Sequence, residues 1–269
     1  MELQKSSLLG LPVSQASSMS DTLRLIQERL SRRQSCIVSF VNPYAFHLRW
    51  RNQAYANALW QFDMILPDGI AVVKALRWIN GITVERQSFD ATSLFQPVFC
   101  HLSSQKKSLC LVGGRPGVAG LALHKMRQSY PGIDYRGVID GFQPFEDIVN
   151  WVKSHEPDVV LVGMGAPIQE SLLLRLKYDG FRGVGFTCGG FLDQYVVGTQ
   201  YYPAIIDRLD LRWLYRLVSD PRRLGRRYLI QYQTFVFDVL WALIGSAIGR
   251  RFHESHLWQA GRYASLENR

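Results

Sequence analysis

Cysteine is sparse: Cys36, Cys100, Cys110 and Cys188 lie far apart, with no C-x-x-C pair and no companion histidines at metal spacing. That excludes a disulfide scaffold and a cysteine-based zinc site, and it predicts a reducing compartment. No G-x-G-x-x-G and no Gly-Lys-Ser/Thr occurs, so the dinucleotide fingerprint and the P-loop are both missing. No D-x-D pair stands at a strand end. The opening MELQKSSLLGLPVSQASS holds one lysine and an apolar stretch broken by Gly10 and Pro12, too short for a signal peptide or a bilayer span, so the cytoplasm is expected. Internal repeats and low-complexity segments are absent as well. Acidic residues are the minority, 22 against 31 Lys and Arg, and the formal charge of +9 favours an anionic partner: nucleic acid, nucleotide phosphates or an anionic membrane.

What is present reads as a folded α/β chain. At 269 residues, with 47% hydrophobic and 20% charged, it can hold one large domain plus an appendage and is too apolar for disorder. Residues 1–20 read as a loose, Ser-rich leader, and Asp21 fits the N-cap of a helix carrying Leu23, Ile26 and Leu30. Strand-like runs then follow at Cys36–Val41, Met64–Leu66, Ser108–Val112, Ile133–Ile139, Pro157–Gly165 and Gly183–Cys188. Between them, helical stretches are expected at Tyr44–Trp60, Ile70–Ile79, up to Tyr130, Phe145–His155 and up to Tyr178. This alternation predicts an α/β fold with a mostly parallel, Rossmann-like sheet flanked by helices. The expected division is a leader at 1–20, the α/β domain at 21–200, a basic aromatic arm with an apolar helix at 201–250, and a polar tail at 251–269.

Open α/β sheets meet their ligands at the carboxyl ends of the strands, so polar residues there are the candidates. Asp68 sits in DMILPDGIAVV, between Pro67, which fixes φ, and Gly69, which permits φ > 0; it can act as a general base or as a turn former and helix cap. Asn42, ending the first strand, suits a ligand contact or a helix cap. Arg86, in the loop-to-helix segment between Gly81 and Pro97, can reach a phosphate or make a surface ion pair with Glu85 or Asp90. Gly113 and Gly114 open a glycine-rich turn that either offers N–H groups to a phosphate or simply makes a tight connection. Gln169 suits a sugar hydroxyl or a uracil edge, and Glu170, in a first helical turn, can also serve the dipole.

From Leu209 the character changes. Arg216, Arg222, Arg223, Arg226 and Arg227 are interleaved with Trp213, Tyr215 and Tyr228, a pattern that suits single-stranded nucleic acid or an anionic membrane interface with a pyrophosphate ligand. The apolar stretch Leu229–Gly249, interrupted by Asp238, decides for the membrane: a helix lying in the interface or inserted part way, with a helix packed on the core as the alternative. A nucleic-acid-binding protein and a non-catalytic membrane scaffold are the competing functions.

Taken together, PDGIAVV at 67–73, LVGGRPGVA at 111–119, PDVVLVGMGAPIQE at 157–170 and WLYRLVSDPRRLGRRYL at 213–229 resemble the WecG/TagA/CpsF glycosyltransferases, glycosyltransferase family 26. The resemblance covers roughly residues 35–230. It implies an inverting, metal-independent and cofactor-free transfer of a sugar from a UDP-sugar to a polyprenyl-diphosphate-linked saccharide at the cytoplasmic membrane, in cell-surface polysaccharide synthesis and without nucleic acid. It makes Asp68 the catalytic base, and it assigns substrate contacts to Asn42, Arg86, Gly113, Gly114, Gln169, Glu170, Arg216, Arg222, Arg223 and Arg226. The chain departs from the usual pattern at Phe40, where the family carries threonine, and at Arg212, where a glutamate is common.

Overall fold

In the computed structural model, which describes residues 3–198 and 231–245 together with 215, 217, 218 and 225, the chain opens on a hairpin of β1 (Lys5–Leu8) and β2 (Leu11–Ser14). Its two-residue turn, Leu9-Gly10, has φ of 49° and 84°, the left-handed pair whose twist suits a hairpin. Leu8, Leu11 and Val13 are fully buried, and Ser14 Oγ accepts the Ile65 N–H at 2.9 Å. The reading of residues 1–20 as a loose leader is therefore corrected. The serines mask short strands whose order comes from packing on a distant strand, and the glycine taken as a breaker makes the turn.

Helix α1 (Met19–Ser31) is capped by Ser18, whose Oγ accepts the Asp21 N–H, so the expected cap at Asp21 sits one turn inside. The chain then alternates through β3 (Cys36–Val41), α2 (Pro43–Arg51), α3 (Gln53–Trp60), β4 (Met64–Pro67) and α4 (Ile70–Ala75), which runs on into a π-helical turn at Leu76–Asn80. It continues with α5 (Phe95–Ser104), β5 (Ser108–Gly113), α6 (Val118–Ser129), β6 (Asp134–Ile139) and α7 (Phe145–His155). After β7 (Val159–Gly163), α8 (Ile168–Tyr178), β8 (Val184–Thr187) and α9 (Phe191–Val197) complete the sheet domain. The single helix expected at Tyr44–Trp60 is two: Asn52 stops α2 and its side chain caps α3 at Tyr55 N.

Six strands form one parallel sheet in the order β4-β3-β8-β7-β5-β6, with helices on both faces. Every residue of β5, β7 and β8 is buried, which is why these strands read as unbroken apolar runs. Alternate residues feed two cores. Ile37, Val112, Val160 and Val162 join the hairpin, α3 and α8 on one face, while Val38, Leu111, Leu161 and Phe186 join α1, α5 and α9 on the other.

Residues 231–245 form a further helical stretch against the domain. Phe235 packs on Phe46 with the rings tilted and their centroids 4.8 Å apart, and Asp238 accepts from Arg49 Nη2 and Trp50 Nε1, each at 3.0 Å. The outer side is apolar and exposed, carrying Phe237, Trp241 and Ile244, while the half-exposed Val236 and Leu240 face a cavity at the strand ends. Among the described residues no helix is long and apolar enough to cross a membrane. Arg216, Arg222, Arg223, Arg226 and Arg227, and the tail at 251–269, lie outside the described residues.

Candidate active site

All six parallel strands point their carboxyl ends at one cavity of about 1160 Å³. Asn42 follows β3, Asp68 follows β4, Gly114 follows β5, Gly141 follows β6, Gly165 follows β7 and Gly189 follows β8, and all of them line it. The helical stretch 231–245 closes the cavity from above with Tyr232, Phe235, Val236 and Leu240.

Asp68 is pinned by its backbone before its side chain does anything: its N–H extends the β3–β4 ladder to Val41 O at 2.8 Å. Gly69, at φ 100°, starts α4 without a side-chain cap, so the Asp68 carboxylate is not the helix cap. It meets Arg86 Nη1 at 3.5 Å instead. Arg86 is delivered by the 82–94 segment, fastened to the end of β4 where Gln87 N–H donates to Pro67 O at 3.0 Å. The same guanidinium reaches Ser88 Oγ at 2.9 Å, Asp90 Oδ2 at 3.4 Å and Thr92 Oγ1 at 3.2 Å. Burial alone would raise the Asp90 carboxyl, but Arg86 and the hydrogen bonds from Ser88 and Thr92 outweigh it and hold it below the usual range. Asp90 lines the cavity as well but is taken up as the anchor of the loop, whereas Asp68 is the carboxylate carried directly on the end of β4.

Asn42 lines the cavity and caps α2, its Oδ1 accepting the Tyr44 N–H at 3.0 Å, which leaves its amide NH2 as the part a ligand can use. Gln169 lines the cavity too, yet its oxygen accepts from Gly165 N and Gly189 N, at 3.2 and 3.1 Å, tying together the loops after β7 and β8. Its Nε2 donates to Glu170 Oε1 at 3.0 Å. Glu170 is almost wholly buried; Oε1 also accepts from Ser39 Oγ, which in turn accepts from Thr187 Oγ1, whereas Oε2 has no partner among the described residues. Burial pushes the Glu170 carboxyl up, and the hydrogen bonds from Gln169 and Ser39 only offset part of that. It is a buried carboxyl in the floor of the cavity, its proton held more tightly than an ordinary glutamate's, rather than a surface group serving the dipole.

The glycine turns provide room. Gly113 has φ 115°, and a Cβ there would lie 2.3 Å from Gly163 O; one on Gly163 would lie 2.8 Å from Gly189 O. Gly114 lines the cavity, its N–H donating to Gly163 O at 2.9 Å, whereas Gly113 stays in the strand ladder opposite Gly163, just behind the lining. Among the described residues no three His, Cys, Asp or Glu side chains gather where they could hold a metal ion. Sequence reasoning passed over Ser39, Thr187, Lys74 and Trp78. The first two meet because β3 and β8 are neighbours in the sheet, and the last two have only an i, i+4 spacing as a signal.

The model of the WecG/TagA/CpsF glycosyl transferase family matches residues 6–248, nearly the whole described fold. The chain belongs to this family. It is 30% identical over 210 residues, 77% of this chain and 86% of the relative, to a Shigella boydii UDP-Gal:alpha-D-GlcNAc-diphosphoundecaprenol beta-1,4-galactosyltransferase. It is 26% identical over 225 residues, 83% of this chain and 87% of the relative, to the N-acetylglucosaminyldiphosphoundecaprenol N-acetyl-beta-D-mannosaminyltransferase of Bacillus subtilis strain 168. A Staphylococcus aureus (strain MW2) protein of the latter description is 29% identical over 190 residues, 69% of this chain and 72% of its own length. These relatives are named as hexosyltransferases, and membership makes this chain a glycosyltransferase.

Proposed function

We propose that the protein moves a hexose or N-acetylhexosamine from a UDP-sugar to a saccharide on a polyprenyl diphosphate, with inversion and without a metal, at the cytoplasmic face of the membrane. The reaction would serve cell-surface polysaccharide synthesis. The observation that carries the reading is the Asp68–Arg86 pair at a strand end, opening into a cavity with an apolar helix as one wall. The relatives' names, which specify diphosphoundecaprenol acceptors, support the lipid-linked substrate.

In this mechanism Asp68 takes the proton of the acceptor hydroxyl as its oxygen attacks the anomeric carbon from the face opposite the leaving UDP. Arg86 orients the carboxylate. A retaining double displacement needs a nucleophile beside an acid–base group; Asp90, the nearby second carboxylate, is taken up by Arg86, Ser88 and Thr92. Asn42, Gly113, Gly114, Gln169 and Glu170 shape the donor end. Arg216, Arg222, Arg223 and Arg226 are assigned to the diphosphates, and the apolar outer face of 231–245 rests on the membrane. The test is to incubate the purified protein with a panel of UDP-sugars and undecaprenyl-diphosphate-linked N-acetylglucosamine, measuring UDP release and the anomeric configuration of the product. Retention of configuration, or no UDP release with any donor, refutes the reading.

A further inference from the structure

The cavity has a second, differently built half. Ile70, Lys74 and Trp78 all line it, an i, i+4, i+8 stripe down one face of α4 and its π-helical extension. Tyr232, Val236 and Leu240 line it at the same spacing from the helical stretch 231–245. Lys74 is the only cation on these two stripes, is exposed, and has no ion-pair or hydrogen-bond partner among the described residues. Arg86, by contrast, is engaged by several oxygens, and Arg115 has Asp193 at 3.5 Å.

A lone ammonium between apolar walls matches an amphiphile with an anionic head. The order along the helix fixes which way round such a ligand lies. Asp68 precedes α4, Lys74 follows Ile70 by four residues, or about 6 Å of helix, and Trp78 follows by about as much again. Lys74 is also remote from the glycine-rich ends: β4, which leads into α4, is three strands from β7, about 14 Å at ordinary strand spacing. A donor diphosphate held at the glycine-rich ends of β5 and β7 would therefore lie at the other end of the cavity from Lys74.

We propose that this stripe is the acceptor's track, where the sugar hydroxyl meets Asp68, the lipid-linked diphosphate meets Lys74, and the first isoprene units run along Trp78 against Val236 and Leu240. The inference rests on the lipid-linked acceptor proposed above and adds the residues that seat it. Lys74 and Trp78 are surface residues, so their substitution leaves the core intact.

The test measures UDP-release kinetics of the full chain with Lys74→Met and Trp78→Ala, using undecaprenyl-diphosphate-linked N-acetylglucosamine, its farnesyl-diphosphate counterpart, and a methyl glycoside without diphosphate. Lys74→Met is expected to raise the KM for both diphosphate acceptors about tenfold, equivalent to about 1.4 kcal/mol. It should leave the KM for the UDP-sugar and turnover of the methyl glycoside unchanged. Trp78→Ala should raise KM more for the undecaprenyl than for the farnesyl acceptor. An unchanged acceptor KM in Lys74→Met, or a raised KM for the UDP-sugar instead, overturns the track while leaving the transferase reading in place. Failure of the unsubstituted protein to use either lipid diphosphate overturns both.

Discussion

Asp68 and Arg86 come from two separate segments and meet at 3.5 Å, with the arginine held from behind by Ser88, Asp90 and Thr92. The carboxylate is thus aimed by a guanidinium that is itself fixed, the arrangement a general base needs to stay in line with a hydroxyl. Asp68→Asn keeps the shape and removes the basicity. Turnover is expected to fall by about two to four orders of magnitude, with the melting temperature and UDP affinity unchanged. Turnover near that of the unsubstituted protein would take Asp68 out of the role.

Glu170 gives a pH signature. Its folded-state pKa is raised by burial, so as pH climbs above the ordinary glutamate value the unfolded chain loses a proton that the folded chain keeps, and stability falls until the folded carboxyl also titrates. Glu170→Gln preserves the hydrogen bond from Ser39 and removes the titration. Denaturant unfolding of the two proteins should diverge with rising pH above that value, the glutamine variant gaining. A constant difference across pH would mean that Glu170 is ionised in the folded protein.

Activity should survive EDTA, since the mechanism meets the diphosphates with Lys74 and the arginines of the arm. Loss in chelator, restored by Mg²⁺ or Mn²⁺, would show that a metal carries the leaving group.

Asp238 joins the helical stretch 231–245 to α2 through Arg49 and Trp50, and it is mostly shielded from water. Asp238→Ala should cost about 1–3 kcal/mol, because Arg49 is left without its charged partner. Hydrogen exchange is expected to rise in residues 231–245 and to stay unchanged in β5 and β7. Equal protection of the stretch in both proteins would show that Phe235 and Val239 alone dock it.

Trp241 and Phe237 point away from that docked side and are exposed. Replacing both with serine should weaken sedimentation with anionic vesicles in a way that high salt does not reproduce, because apolar burial is not screened. Unaltered sedimentation would assign the membrane contact to the basic arm alone.

The sheet was legible because its central strands are covered on both faces: SLCLV, DVVLVG and CIVSFV can hardly be anything but buried strands, and β5, β7 and β3 match them. The hairpin was not, since Leu8, Leu11 and Val13 are held by residues some fifty positions away, and four-residue strands rich in serine leave no period to read. Within the cavity, Asp68, Asn42, Gln169 and Glu170 could be picked out by their places after strands. Their partners could not, because Ser39 and Thr187 become neighbours only through the β3–β8 pairing, a contact between opposite ends of the domain. Gln169 looked like a ligand donor because its local turn does not reveal that Gly165 and Gly189 already engage its oxygen.

The bare main chain where β5, β7 and β8 end has a consequence for redesign. Gly113 sits against Gly163 and Gly163 against Gly189 so closely that neither of the first two admits even a methyl group. This part of the floor can be neither padded nor hollowed by mutation, so a change of donor sugar has to be sought in the side walls. Phe40, Ser88, Phe142 and Met164 line those walls, and a library aimed at a new donor should vary them and leave the three glycines alone.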